Sequence, residues 1–182
     1  MLRSELFDSG FWPLWVGAGL LMFAGLTTCV TGKIPNSISL WTLLLGLTVA
    51  LLASLDVEPA GGVAGGIGSS LLTVLVAAFL LIPLWSFAGD WIPGGTVKMQ
   101  IAFAAWVGSV FPVARSLAML LGATLFGVVV STVVTAVTLK LAAPRSPDDD
   151  RPRRSIPIQL FVAAGTVAGL LILTWIFPTR SM

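Results

Sequence analysis

The stretch Gly94-Gly95-Thr96-Val97-Lys98 lies between two long apolar runs, Ser69 to Phe87 behind it and Met99 to Val113 ahead. It is a short polar break between segments that water will not solvate, so it reads as a loop at a membrane surface. Composition extends that reading to the whole chain. Of 182 residues, 57% are hydrophobic and 10% charged, and the mean hydropathy is +1.00. These values lie outside what a soluble domain sustains and define an integral membrane protein.

A helix needs roughly 20 residues to cross roughly 30 Å of hydrocarbon, so the chain has room for six spans and no separate soluble domain. Apolar stretches predict them over 11–30, 38–55, 69–87, 99–113, 116–139 and 158–177. The expected fold class is therefore an all-α membrane protein of six transmembrane helices. Arg3, Glu5 and Asp8 give the start mixed charge, unlike the cationic leader of a secretory signal, so the first span is retained. Pro35 and Asn36 separate the first two spans. Pro83 is expected to kink or end the third, and Pro112 with Arg115 interrupts the fourth and fifth. Gly61/Gly65 and Gly62/Gly66 are spaced for close helix approach and lack the Gly-Lys-Ser/Thr of a phosphate loop.

Charge gives orientation. The loops at 30–36, 88–98 and 140–155 carry seven cations (Lys33, Lys98, Lys140, Arg145, Arg151, Arg153, Arg154), against Arg3, Arg115 and Arg180 on the other side. The positive-inside bias places these loops in the cytoplasm and both termini outside. One cysteine and no histidine leave no disulfide framework, no Cys/His metal site and no Cys-His or Ser-His nucleophile. No metal or other cofactor is expected. No Asp, Glu, Lys or Arg lies in the interior of a span, which disfavours an ion-coupled transporter. The threonines of the fifth span, Thr124, Thr132, Thr135 and Thr138, are expected to bond within their own helix or to a neighbour. No basic face with interleaved aromatic residues points to nucleic acid.

Three segments on the cationic side, taken together, resemble the type IV prepilin peptidases, the prepilin leader peptidase family. Ile34-Pro35-Asn36 resembles that family's Asp-x5-Ile-Pro-Asn segment. Gly94-Gly95-Thr96-Val97-Lys98-Met99, followed by Ala104-Ala105-Trp106-Val107-Gly108, resembles its Gly-x-Gly-Asp-Val-Lys-Leu and Gly-Ala-Trp-x-Gly motifs. Ile156-Pro157-Ile158, with Gly165 beyond, resembles the Ile-Pro-Phe segment that opens the family's last span.

The resemblance implies an aspartyl protease core in a bacterial inner membrane, with two aspartates at the cytoplasmic boundary that cut leaders from pilin-like precursors. Such chemistry needs two carboxylates sharing a proton, one as base toward water and one as acid toward the scissile carbonyl. Here Thr28 falls at the first acid position, or Thr27 or Cys29 if the register slips by one, and Thr96 falls at the second. A threonine hydroxyl does not ionise near neutral pH, and loss of positioned acid–base catalysis costs on the order of 10²–10⁴ in rate per group. The expectation is a non-catalytic homologue that binds pilin-like precursors or assists pilus or secretion assembly, with Ile34, Pro35, Asn36, Gly94, Gly95, Lys98 and Pro157 as motif and groove residues. The alternatives are an active aspartic endopeptidase that uses Asp90, six residues before Thr96, and a structural membrane subunit. Expected partners are the lipid bilayer, pilin-like precursors, and either further copies of the chain or pilus and secretion subunits. No N-terminal four-cysteine segment accompanies the motifs, so the chain resembles the family's minimal form.

Overall fold

The computed structural model describes residues 12–55, 65–88, 94–141 and 158–176. These form six α-helices and, among the described residues, no strand: α1 (Trp12–Thr31), α2 (Asn36–Leu55), α3 (Ile67–Ala88), α4 (Gly94–Val110), α5 (Val113–Leu141) and α6 (Ile158–Ile176). Four of them, α1, α2, α3 and α5, contain stretches long and apolar enough to cross a membrane. In α6 the apolar stretch Gln159–Thr174 is shorter, and α4 has 17 residues.

The arrangement explains the short α4. It contacts all five other helices, and these close a ring around it in the order α1, α2, α3, α5, α6 and back to α1. From Thr96 to Val110 every residue of α4 is buried except Lys98 and Ile101. A helix enclosed by protein has no lipid-facing surface, so it need not match the length or apolarity of its neighbours. It can also carry a polar side chain, provided a partner is near. The ring's outer face is the reverse of a soluble surface. Trp41, Leu52, Leu75, Phe79 and Leu125 stand 55% exposed or more, and a bilayer is the solvent that such a face suits.

Small residues set the closest approaches. A Cβ on Gly17 would lie 2.7 Å from Trp106 Cγ, and one on Gly46 would lie 2.8 Å from Trp106 Nε1. The Trp106 ring thus occupies a slot shared by α1 and α2, where its Nε1 donates to the Thr42 carbonyl at 2.8 Å. Gly127 and Gly165 similarly bring α5 against α6, with a Cβ on Gly165 falling 2.6 Å from Gly127 Cα. Gly65 packs against the Ser109 carbonyl, consistent with the close approach expected of that glycine, while Gly61 and Gly62 lie outside the described residues.

Several boundaries differ from the sequence expectation. Gly94 to Lys98 is the first turn of α4, not a loop. Gly94 lies against the Trp85 ring and Gly95 against Ile34, so packing of the two side-chain-free positions sets where that helix starts. The break between α4 and α5 is confined to Phe111 and Pro112, where Ser69 Oγ and Ser116 Oγ both donate to the Phe111 carbonyl, at 2.7 and 2.9 Å. Arg115 therefore belongs to the first turn of α5, its guanidinium 4.9 Å from the centre of the Phe111 ring. Pro83 does not end α3, which runs on to Ala88. Proline lacks only the N–H that would reach the carbonyl four residues back, that of Phe79, and the helix continues through it.

Candidate functional site

The turn after α1 carries the first motif back to the bundle. Gly32 adopts φ 73° and donates its N–H to the Thr28 carbonyl at 2.9 Å, a left-handed helix stop that glycine takes without strain. Thr31 Oγ1 donates to the Thr27 carbonyl at 2.8 Å and lies 2.6 Å from the Lys33 carbonyl. The chain reverses within this turn and delivers Ile34, 9% exposed, into the core.

There Ile34 meets the second motif. A Cβ on Gly95 would lie 3.1 Å from Ile34 Cβ and 3.4 Å from Gln159 Nε2. Gln159 directly follows the Ile156-Pro157-Ile158 segment, so residues of the first two segments meet at the start of α4 beside the residue that comes after the third. Pro35 is half-buried beside Ile34. Asn36 opens α2, and its Oδ1 accepts a hydrogen bond from the exposed Lys98 Nζ at 3.0 Å, tying the first motif to the second. Pro157 and Asp90 lie outside the described residues.

The two threonines at the implied acid positions are both buried, Thr28 at 7% exposure and Thr96 at 5%. Their hydroxyls are in different states. Thr28 Oγ1 donates to the Gly25 carbonyl of its own helix at 2.6 Å, so its proton is committed. Thr96 Oγ1 has no hydrogen-bond partner. It borders a cavity of about 10 Å³ whose lining includes Gly25, Ile34, Met99, Gln100 and Gln159. That volume is at the lower limit for one water and far below what a peptide needs.

Beneath this cavity is a polar residue that the sequence reading passed over. Gln100, 1% exposed, donates from Nε2 to Thr166 Oγ1 at 2.9 Å and accepts from Thr124 Oγ1 at 3.2 Å. Thr166 Oγ1 in turn donates to the Val162 carbonyl at 2.8 Å. The amide joins α4 to α5 and α6. Its signal in the sequence was there: Gln100 lies four residues after Thr96 on one helix face, the one strongly polar side chain between Lys98 and Trp106. Screening the spans for ionisable residues alone misses an amide. Of the fifth-span threonines, Thr132 and Thr138 bond within α5 while Thr124 reaches α4.

Among the described residues, the side chains near the start of α4 that could take part in acid–base chemistry are alcohols, amides and Lys98. Each of the eight acids in the chain (Glu5, Asp8, Asp56, Glu58, Asp90 and Asp148 to Asp150) lies outside the described residues. Among the described residues no group of three or more His, Cys, Asp or Glu could hold a metal ion. Cys29 is exposed with a free thiol. The class that fold and site define is an all-helical protein whose long helices suit a membrane, with a small cavity beside Thr96 at one end of its central helix. Comparison with protein-family models, curated proteins and solved structures finds no match to this chain.

Proposed function

We propose that the chain is a six-span membrane protein of the prepilin leader peptidase kind that has lost hydrolysis, and that it engages the apolar helix of a pilin-like precursor. The observation that carries this reading is the meeting of Ile34, Gly95 and Gln159, with Asn36 bonded to Lys98, at the helix turn that holds the buried Thr96. Two of the segments that carry the resemblance, those of Ile34 to Asn36 and Gly94 to Lys98, are far apart in sequence and adjacent in space. Where two carboxylates would share a proton, one hydroxyl is committed to Gly25 and the other faces a cavity sized for a water. Neither can take a proton from water near neutral pH. On this reading the ends of α1, α3 and α5 and the starts of α2, α4 and α6 face the cytoplasm of a bacterium, as the cation count favours.

A second reading, a structural membrane subunit without a substrate groove, is favoured by the closed packing at that same end, where Ile34 and Gly95 fill the space between helices. Site-specific crosslinking separates the two. A photoreactive residue at Val30, 88% exposed beside the motif turn, is compared with one at Leu55, 66% exposed at the far end of α2, in cells co-expressing a pilin-like precursor. Capture of the uncut precursor from Val30 and not from Leu55 supports the first reading. Capture of membrane subunits alone supports the second.

A further inference from the structure

Thr96 Oγ1 and Gln159 Oε1 are both buried oxygens without a hydrogen-bond partner, and both residues border the same small cavity. Burying a hydroxyl or amide oxygen unpaired costs about 1–3 kcal/mol, so two such atoms on residues that border one space call for a common explanation. Ser39 Oγ and Thr135 Oγ1 are also unpartnered, but neither borders this cavity. A third group completes the set: Gln100 lines the cavity, and Nε2 of its amide carries a second hydrogen beyond the one given to Thr166.

We infer that this cavity is a binding site for a single water molecule, held between the first turn of α4 and the start of α6. The water donates to Gln159 Oε1, exchanges a hydrogen bond with Thr96 Oγ1, and accepts from Gln100. Three partners are typical of a buried water, and about 10 Å³ admits one molecule and no more. A metal cation does not fit the donor set. One hydroxyl and one or two amide oxygens fall short of the six or so ligands that hard cations take, and none of them carries charge to offset a cation. The water extends the Gln100–Thr166–Thr124 network to Gln159 and acts as a hydrated joint between α4 and α6. No carboxylate among its partners can deprotonate it, so it is structural. This inference does not depend on whether the chain engages a pilin-like helix.

Radiolytic footprinting of the full chain in detergent or vesicles tests it, because hydroxyl radicals generated from a bound water oxidise the side chain beside it. Met99 lines the cavity at 1% exposure, and Met119, at 3%, is buried elsewhere and serves as the internal control. The expected result is sulfoxide formation at Met99 several-fold faster than at Met119. In Thr96→Val, a near-isosteric change without the hydroxyl, the excess at Met99 falls to the Met119 rate, and Thr96→Ser retains it. Equal protection of the two methionines in the unaltered chain overturns the site. An excess that persists in Thr96→Val overturns the role assigned to Thr96.

Discussion

Gly46 and Gly19 offer the same substitution with opposite expected signs. A Cβ at Gly19 meets nothing within 4 Å, whereas one at Gly46 would stand 2.8 Å from Trp106 Nε1, 2.9 Å from Cδ1 and 3.0 Å from Ala105 Cβ. Both lie inside helices, so alanine at either gains about 1 kcal/mol of helix propensity. At Gly46 the ring must also move, which costs about 1–3 kcal/mol of overpacking. That movement weakens the 2.8 Å bond from Trp106 to the Thr42 carbonyl, worth about 0.5–1.5 kcal/mol. Together these leave Gly46→Ala about 0.5–3.5 kcal/mol less stable than the parent, while Gly19→Ala is up to about 1 kcal/mol more stable. At about 2–4 °C per kcal/mol for a chain of this size, the two variants should differ in melting temperature by at least about 3 °C. Thermal unfolding in detergent, followed by helical circular dichroism, reads the difference. If Gly46→Ala melts at or above Gly19→Ala, the wedge of Trp106 between α1 and α2 is wrong.

Three further outcomes follow from the same packing. Gln100→Leu removes the bonds to Thr166 and Thr124 and should cost about 1–3 kcal/mol, measured as a lower melting temperature. Gly127→Leu places a branched side chain where a Cβ alone would meet Thr166 Oγ1 at 2.6 Å; it should destabilise more than Gly122→Leu, whose Cβ meets only the Leu173 side-chain end at 3.0 Å. Thr96→Asp buries a carboxyl at a position 5% exposed, so its folded pKa is raised above the unfolded value. Below both values neither state is charged and the ionisation penalty is absent; as pH rises past the unfolded value, the unfolded state ionises more readily and stability falls. The variant should therefore melt lower at pH 8 than at pH 5 relative to Thr96→Val; an identical gap at the two pH values contradicts the burial.

Apolarity along the chain was enough to place six helical segments, since runs of Leu, Val, Ala and Phe bounded by proline, glycine or charge have few other readings. The start of α4 was missed because two glycines and a threonine read as a loop when nothing in the sequence says that Trp85 and Ile34 will pack onto those glycines. Which helix stands at the centre was also hidden. In a bilayer the lipid-facing and protein-facing sides of a helix are both apolar, so the alternation that marks a buried face in water is lost. Only the lower apolarity of the Gly94–Val110 segment and its lone amide hinted at enclosure. At the candidate site, the quoted motifs named Ile34, Gly95, Asn36 and Lys98, which the fold does bring together. Gln100 and Gln159 carried no motif, and their importance depends on which oxygens are left without partners, a property of three dimensions.

The most direct measurement is leader cleavage by the purified full-length chain in vesicles containing a pilin-like precursor, run beside its Asp90→Asn variant. With alcohols at 28 and 96 and no carboxylate among the described residues, the chain should release no leader above the rate of empty vesicles, and the variant should behave identically. Leader release that disappears in Asp90→Asn would contradict the account, since it would show that a carboxylate does reach the site and that the threonines did not end the chemistry.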